Sequence, residues 1–215
     1  MVSDRSAPTD VSGLGADAVR PQQIPRPRPA PSPRRTIVLA AVGTDTHPFD
    51  RLIDWLEEWY AGTTGQVSMV VQYGRSRPPA IPGAVDFLEH DALQRAMARA
   101  AVVVCHGGPA TILEARQHGH LPIVVPRDPK LREHVDDHQQ RFVRRLAAAG
   151  MVALCESRES FTSALDLGVR QPSAYAVPVN RDRREAQAAV ATVGRIVDEL
   201  IAARRRRRTV RWWRR

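Results

Sequence analysis

Short runs of apolar, mostly β-branched residues alternate with longer amphipathic patterns from Thr36 onward, and this alternation restricts the fold more than any other feature. A nearly continuous Val/Ile run predicts a strand buried on both faces, which is typical of a parallel sheet covered by helices. The sequence therefore predicts an α/β fold with an open parallel sheet and helices on both faces. The predicted strands are 37–42, 67–73, 85–88, 102–105, 122–126 and 151–154, and the predicted helices are 48–61, 91–100, 109–118, 133–149, 158–168 and 182–204.

The positive charge of the chain is concentrated at its two ends. The whole chain of 215 residues carries a net charge of +9, of which residues 1–35 contribute +3, residues 204–215 contribute +8 and residues 36–203 contribute −2. A nucleic-acid-binding domain should carry positive charge on a folded face, so the nearly neutral middle argues against nucleic acid as a partner. Seven of the 17 prolines lie in residues 1–35, which predicts a disordered leader. We expect one domain over 36–203 between this leader and a basic tail.

The tail combines eight arginines with Trp212 and Trp213. Basic residues are attracted electrostatically to anionic lipid, and tryptophan favours the membrane interface. The tail can therefore serve as a peripheral membrane anchor. A solvated charge run is an equally good interpretation. The sequence has no apolar stretch of membrane-spanning length and no signal-peptide core. Cys105 and Cys155 each end an apolar run, which predicts two buried thiols and a cytoplasmic protein.

The loops that follow the predicted strands should hold the functional residues, because open α/β sheets bind ligands outside the carboxyl ends of their strands. Gly43 and Thr44 follow the first strand, where the glycine allows a sharp turn and the threonine offers a hydroxyl. An ordinary turn between strand and helix explains the same two residues.

The segment HGGPATILEA at 106–115 follows the strand at 102–105. Pro109 suits the first position of a helix, which makes Gly108 the cap and leaves first-turn amides free to bind an anion such as a diphosphate. Thr111 adds a hydroxyl, and Glu114 is placed to accept hydrogen bonds from a diol such as a ribose. Neither a P-loop nor a dinucleotide fingerprint is present. A capped helix whose glutamate complements the dipole is the alternative.

A dense polar cluster over residues 133–141 follows the strand at 122–126. Its carboxylates, imidazoles and amides are the groups that hydrogen-bond sugar hydroxyls. Metal binding by His134 and His138 is disfavoured, because no third ligand is evident. A solvated first helical turn remains an alternative.

Four segments together resemble one known family: VGT at 42–44, HGGPATILEA at 106–115, GHLPIVVPR at 119–127 and EHVDDHQ at 133–139. They resemble the C-terminal domain of glycosyltransferase family 28, and most closely the small single-domain bacterial members used in exopolysaccharide assembly. The resemblance implies a Rossmann-like C-terminal half of a GT-B fold that binds a UDP-sugar donor. It implies no cofactor and no bound metal.

The resemblance also implies a role for each motif. The backbone around Phe87 and Leu88 would meet the uracil, Glu114 would hold the ribose, and His138 and Gln139 would contact the donor sugar. The diphosphate would lie against the glycines and threonines of the first two motifs. The complete set of expected substrate-binding residues is Gly43, Thr44, Phe87, Leu88, His106, Gly107, Gly108, Thr111, Glu114, Asp137, His138 and Gln139.

A complete GT-B enzyme needs a second half, which binds the acceptor and usually supplies the catalytic base. The resemblance therefore implies a hexosyltransferase that is active with a separate membrane-associated subunit, acting on a lipid-linked acceptor in exopolysaccharide or cell-envelope glycan synthesis. We expect this chain at the inner face of the cell membrane. The alternative is a non-catalytic binding or regulatory protein of the same fold that uses its basic tails to bind nucleic acid or membrane.

Overall fold

The computed structural model describes residues 35–63, 65–178, 191–199 and 202. Within them, five parallel strands form one sheet in the order β2-β1-β3-β4-β5. The strands are β1 Thr36–Ala41, β2 Val67–Gln72, β3 Val102–Cys105, β4 Ile123–Val124 and β5 Ala153–Leu154. The helices are α1 Asp50–Ala61, α2 His90–Arg99, α3 Pro109–Gln117, α4 His138–Ala148 and α5 Arg158–Arg170, with 3-10 turns at Pro129–Leu131 and Pro172–Tyr175. The expected leader 1–35, apart from Arg35, and the tail 204–215 lie outside the described residues, and the domain boundaries stay a prediction.

The sheet is buried on both faces, as its continuous apolar strands predict. Successive residues of β1 point to opposite sides, so Val38 and Ala40 pack with the cluster that includes α1 and α5. Leu39 packs instead with Met97 of α2, in a cluster on the other face. The open α/β fold with helices on both faces is therefore confirmed.

Helices α1 and α5 cover one face together. The Trp55 and Phe161 rings pack with their centroids 5.8 Å apart. The Trp59 indole N–H donates to Asp166 Oδ1 at 2.8 Å. These contacts hold α1 in place directly after the first loop of the candidate site.

The prediction of a strand at 85–88 is wrong. Only Val85 pairs, as an isolated parallel bridge with Gln72. The Asp86 side chain then accepts a hydrogen bond from the Phe87 N–H at 2.8 Å, which turns the chain away from the sheet edge. Residues 86–88 form a loop instead.

The prediction that a helix begins at residue 133 is also wrong, because α4 begins at His138. Glu133 is buried at 4% exposure and pairs with Arg51. Asp136 accepts a hydrogen bond from the His138 N–H at 3.1 Å, which forms a turn before the helix. His134 consequently lies outside α4, so the two histidines of the metal-binding alternative do not share a helix.

Other elements match with small shifts. Helix α5 runs past Gly168 to Arg170, because this glycine allows the helix to approach β3 closely rather than ending it. Of the predicted helix 182–204, residues 191–199 are described and helical, and Val193, Ile196 and Val197 pack in the same cluster as α4. Both cysteines are buried and free, as predicted. No helix among the described residues is long and apolar enough to span a membrane.

Candidate functional site

A cleft of about 540 Å³ lies at the carboxyl edge of the sheet, where β1, β2 and β3 end. Its volume falls within the range of about 300 to 1,000 Å³ that is usual for small-molecule sites. The cleft is lined by Gly43, Thr44, Asp45, Gln72, Phe87, Leu88, His90, Leu93, His106, Gly108, Pro109, Ala110, Thr111, Glu114 and Gln139. Nine of the twelve expected substrate-binding residues are in this set.

Two glycines hold the His106 ring between them. Gly43 has φ of +95°, and a Cβ added there would lie 3.0 Å from the His106 ring atoms. A Cβ added at Gly108 would overlap Nε2 of the same ring. The turn after β1 and the cap of α3 therefore need glycine to let the imidazole sit between them.

The imidazole of His106 is kept neutral. Loss of hydration, reinforced by the nearby charge of Arg127, lowers the pKa of His106 to about 4. Its buried Nδ1 has no hydrogen-bond partner. The base of the cleft thus presents an uncharged ring at neutral pH.

Helix α3 directs its N-terminus at the cleft. Gly108 caps the helix in an extended conformation, Pro109 is the first helical residue, and no side chain satisfies the first-turn amides. Ala110 and Thr111 line the cleft directly after the proline. Unsatisfied amides and the positive end of the helix dipole make this end suited to an anion.

Glu114 lies one turn further along α3, where its side chain is 25% exposed. Its Oε1 is 3.9 Å from Nδ1 of the exposed His90, which begins α2. A carboxylate at the wall of the cleft accepts hydrogen bonds and is suited to a diol.

The loop at 86–88 forms the opposite wall. The Phe87 ring is 56% exposed and lines the cleft. The Leu88 N–H donates to Gln72 Oε1 at 3.0 Å, and the Phe87 N–H is bound by Asp86. The amides of Phe87 and Leu88 are therefore engaged, and the Asp86 carbonyl oxygen accepts a hydrogen bond from the Gly74 N–H at 3.0 Å. The carbonyl oxygens of Phe87 and Leu88 and the Phe87 ring are the groups left to meet a ligand.

Sequence reasoning missed Gln72, which is 5% exposed at the end of β2 and fixes the position of this loop. A polar residue at the end of a run of apolar strand residues was the available signal.

The loop after β4 is anchored by Arg127, which is 1% exposed. Its guanidinium donates to the carbonyl oxygens of His47 at 2.6 Å, Glu133 at 3.0 Å and Val42 at 3.1 Å. Arg51 adds a two-pronged ion pair with Glu133 at 2.9 and 2.7 Å. This network joins the loops after β1 and β4, and its partners were not identified from the sequence.

Three expected residues lie beside the cleft rather than in its lining. Gly107 packs against α4, where an added Cβ would be 2.8 Å from Val143 Cγ2. Asp137 precedes α4 and pairs with Arg141 at 3.2 Å. His138 Nδ1 lies 2.5 Å from Asp136 Oδ1. Of the EHVDDHQ segment, Gln139 is the residue that reaches the cleft lining.

The histidines and carboxylates of the described residues do not form a metal centre. Within residues 35–63, 65–178 and 191–199, no group of three or more His, Cys, Asp or Glu side chains is placed to hold a metal ion.

The fold is also found in solved glycosyltransferases. The chain superposes on the glycosyltransferase of kitacinnamycin with a TM-score of 0.50 and 16% identity, covering 89% of this chain and 47% of that one. The calicheamicin glycosyltransferase CalG4 aligns with a TM-score of 0.49 and 18% identity over 80% of this chain and 43% of that one. The NMR structure of ALG13 aligns with a TM-score of 0.45 and 16% identity over 73% of this chain and 94% of that one. The chain spans less than half the length of the first two proteins.

Comparison with curated protein sequences yields no match. The sequence profile of the glycosyltransferase family 28 C-terminal domain, however, matches residues 38–193, which include the sheet from the third residue of β1 onward and every residue that lines the cleft. We conclude that the chain belongs to glycosyltransferase family 28 and contains the C-terminal domain of that family.

Proposed function

We propose that this chain is the donor-binding subunit of a heteromeric glycosyltransferase, which transfers a hexosyl group from a UDP-sugar to a lipid-linked acceptor. The observation that carries the proposal is the juxtaposition, in one cleft, of a helix N-terminus with no side-chain cap and a carboxylate one turn further along the same helix. A UDP-sugar contains a diphosphate joined directly to a ribose, so the two neighbouring groups of the cleft match two neighbouring groups of the ligand.

The diphosphate would bind at the start of α3. Ala110 and Thr111 supply first-turn amides, and the neutral His106 below them adds no positive charge of its own. Gly108 and Gly43 have no side chain, so their backbone can come close to the phosphates. When the bond to the sugar breaks, the same amides would stabilise the charge that develops on the departing UDP.

The nucleoside would bind between α3 and the 86–88 loop. Glu114 would accept hydrogen bonds from the ribose hydroxyls. The exposed Phe87 ring and the carbonyls beside it would contact the base. A uracil N–H donates to a carbonyl, which is consistent with the engaged amides of this loop.

The sugar would extend from the diphosphate toward the start of α4. Gln139 is the member of the EHVDDHQ segment that lines the cleft there, and its Oε1 is 3.4 Å from the Arg127 backbone nitrogen. His138 and Asp137 would contact the sugar from beside the cleft. This site takes a UDP-sugar without a cofactor or a bound metal.

We place the acceptor site on a second, membrane-associated subunit that resembles the N-terminal half of a GT-B enzyme. The pair would work at the cytoplasmic face of the membrane in exopolysaccharide or cell-envelope glycan synthesis. The basic tail 204–215 would contact anionic lipid, although that segment lies outside the described residues.

Calorimetric titration of UDP into the purified chain tests the donor site, with ADP as the nucleotide control. The Glu114→Gln variant keeps the size of the side chain but removes its charge. Because a hydrogen bond to a charged group contributes about 1.5 to 3 kcal/mol, we expect UDP affinity to fall about tenfold or more.

The matched control is Glu159→Gln, the same change on an exposed carboxylate in the first turn of α5, away from the cleft. Its UDP affinity should equal that of the parent chain. Equal loss in both variants, or no UDP binding by the parent chain, would refute the donor site.

A further inference from the structure

A buried glutamine, Gln72, ends β2 on the side of the sheet that carries the cleft. The preceding residue, Val71, packs in the cluster that includes α1 and α5. Side chains alternate along a strand, so Gln72 shares the opposite face with Val70. Val70 packs there in the same cluster as Leu93 of α2, and Leu93 also lines the cleft. Gln72 itself is 5% exposed and lines the cleft.

The Leu88 N–H fixes which way round the Gln72 amide group lies. It donates at 3.0 Å to Oε1 of the glutamine. A backbone N–H can only donate, so the side-chain atom that faces it must be the oxygen and not the nitrogen. Nε2 therefore occupies the other branch of the amide, and it has no hydrogen-bond partner among the described residues. Its two N–H donors are available to a ligand in the cleft.

These donors lie among hydrogen-bond acceptors. Phe87 and Leu88 line one wall of the same cleft, and Glu114 lines the other. The carbonyl oxygens of Phe87 and Leu88 and the Glu114 carboxylate all accept hydrogen bonds. Gln72 adds an uncharged donor beside them, so this part of the cleft presents a donor next to acceptors.

Uracil has the complementary arrangement. Its N3–H is a donor, and the carbonyl oxygens O2 and O4 flank it as acceptors. A loop carbonyl that accepts from N3–H accounts for one of these groups, and a neighbouring amide donor accounts for one of the carbonyls. A glutamine that only held the 86–88 loop in place would need Oε1 alone.

We propose that Gln72 recognises the nucleobase, with Nε2 donating a hydrogen bond to one of the two uracil carbonyl oxygens that flank N3. This assignment rests on the proposed donor site and deepens it. One side chain then holds the 86–88 loop through Oε1 and binds the base through Nε2, so the position of the loop and the recognition of the base depend on the same residue.

Calorimetric titration of the purified chain with UDP, 2-thio-UDP and 4-thio-UDP tests the assignment. Each analogue replaces one uracil carbonyl oxygen with sulfur, which accepts hydrogen bonds more weakly than oxygen. A hydrogen bond between neutral groups contributes about two- to tenfold in affinity. We therefore expect the parent chain to bind one of the two analogues about two- to tenfold more weakly than UDP.

Two variants of Gln72 should remove this preference. Gln72→Glu keeps the length of the side chain and an oxygen for the Leu88 N–H, but at neutral pH it has no donor. Gln72→Met has a similar length, adds no charge and also lacks the donor, so it makes the same test if the glutamate variant does not fold. In both variants UDP and the sensitive analogue should bind with equal affinity.

Gln139→Glu is the matched control for charge. Gln139 also lines the cleft, but its Oε1 faces the Arg127 backbone nitrogen, on the side assigned to the donor sugar. A carboxylate there should repel the diphosphate and weaken UDP and both analogues by the same factor. The preference for UDP over the sensitive analogue should therefore remain that of the parent chain.

The outcomes distinguish the two proposals. Failure of the parent chain to bind UDP refutes the donor site and the role of Gln72 with it. UDP binding with no preference over either analogue overturns the role of Gln72 and leaves the donor site intact. A preference that persists in the Gln72 variants, or that is lost equally in Gln139→Glu, has the same consequence.

Discussion

The neutral state of His106 should make the stability of this protein depend on pH in a defined window. In the unfolded chain an imidazole takes up a proton below about pH 6.5, whereas burial lowers the pKa of His106 in the folded chain to about 4. Between these values the unfolded state binds one proton that the folded state does not. Stability therefore falls as pH decreases from about 6.5 to 4, and this residue has no effect above that window.

The magnitude follows from the width of the window. Each pH unit over which one state holds an additional proton changes the free energy of unfolding by about 1.4 kcal/mol. The low pKa of His106 should therefore lower the free energy of unfolding by about 3 kcal/mol at pH 4 relative to neutral pH. This is a large part of the usual 5 to 15 kcal/mol stability of a domain.

Urea unfolding followed by circular dichroism between pH 7 and pH 4 measures this effect. The comparison is between the parent chain and His106→Gln, in which the ring is absent. Other groups with lowered pKa values, such as His120 and Asp45, contribute to both curves and cancel in the difference. The parent chain should lose about 3 kcal/mol more than the variant over the window.

Parallel stability curves for the two proteins would refute the reasoning. A second measurement does not depend on the variant: NMR titration of the parent chain should show the His106 imidazole neutral at pH 5.5. A His106 resonance that titrates near pH 6.5 would show that the ring is hydrated and that the two glycines do not shield it.

Substitutions at three glycines test three different effects, which are close packing, helix propensity and ligand binding. Gly168→Ala should destabilise by about 1 to 3 kcal/mol, because its Cβ would lie 2.7 Å from Val102 Cγ2. Gly194→Ala should stabilise the helical segment by about 0.5 to 1 kcal/mol, because among the described residues no atom beyond the local helix lies within 4 Å of the added carbon. If urea unfolding showed that both variants change the free energy of unfolding in the same direction, these two expectations would be contradicted. Alanine at position 108 suits the backbone φ of −77°, but its Cβ would overlap the His106 ring. Calorimetry should therefore find that Gly108→Ala binds UDP at least tenfold more weakly than Gly194→Ala does. Equal UDP affinity in the two variants would argue against the site.

The local pattern of the chain is sufficient to predict its architecture. Continuous apolar runs such as 102–105 are recognisable because a strand in a covered parallel sheet is buried on both faces. The start of α3 is equally local, since Gly108 and Pro109 define a helix N-terminus through their own backbone preferences. The resemblance to glycosyltransferase family 28 used motifs of this local kind, and the family match over residues 38–193 confirms it.

The errors at 85–88 and 133–137 have a common cause. Both segments have compositions that suit a regular element, but single side chains divert them. Asp86 binds the amide that a strand would have used, and Glu133 is buried against Arg51, which is 82 residues away in sequence. Propensity describes neighbours along the chain, so it cannot anticipate partners at that separation.

The sequence by itself determined the fold class, the edge of the sheet where the cleft lies and the helix end suited to an anion, because hydrophobic period and backbone preference are local properties. The tertiary structure decided which residues share that edge. It positioned Gln72 to fix the 86–88 loop and Arg127 to join the loops after β1 and β4. It also packed the His106 ring between two glycines. Those arrangements depend on distances between loops that follow different strands, and only the packing of the sheet and its helices brings such loops together.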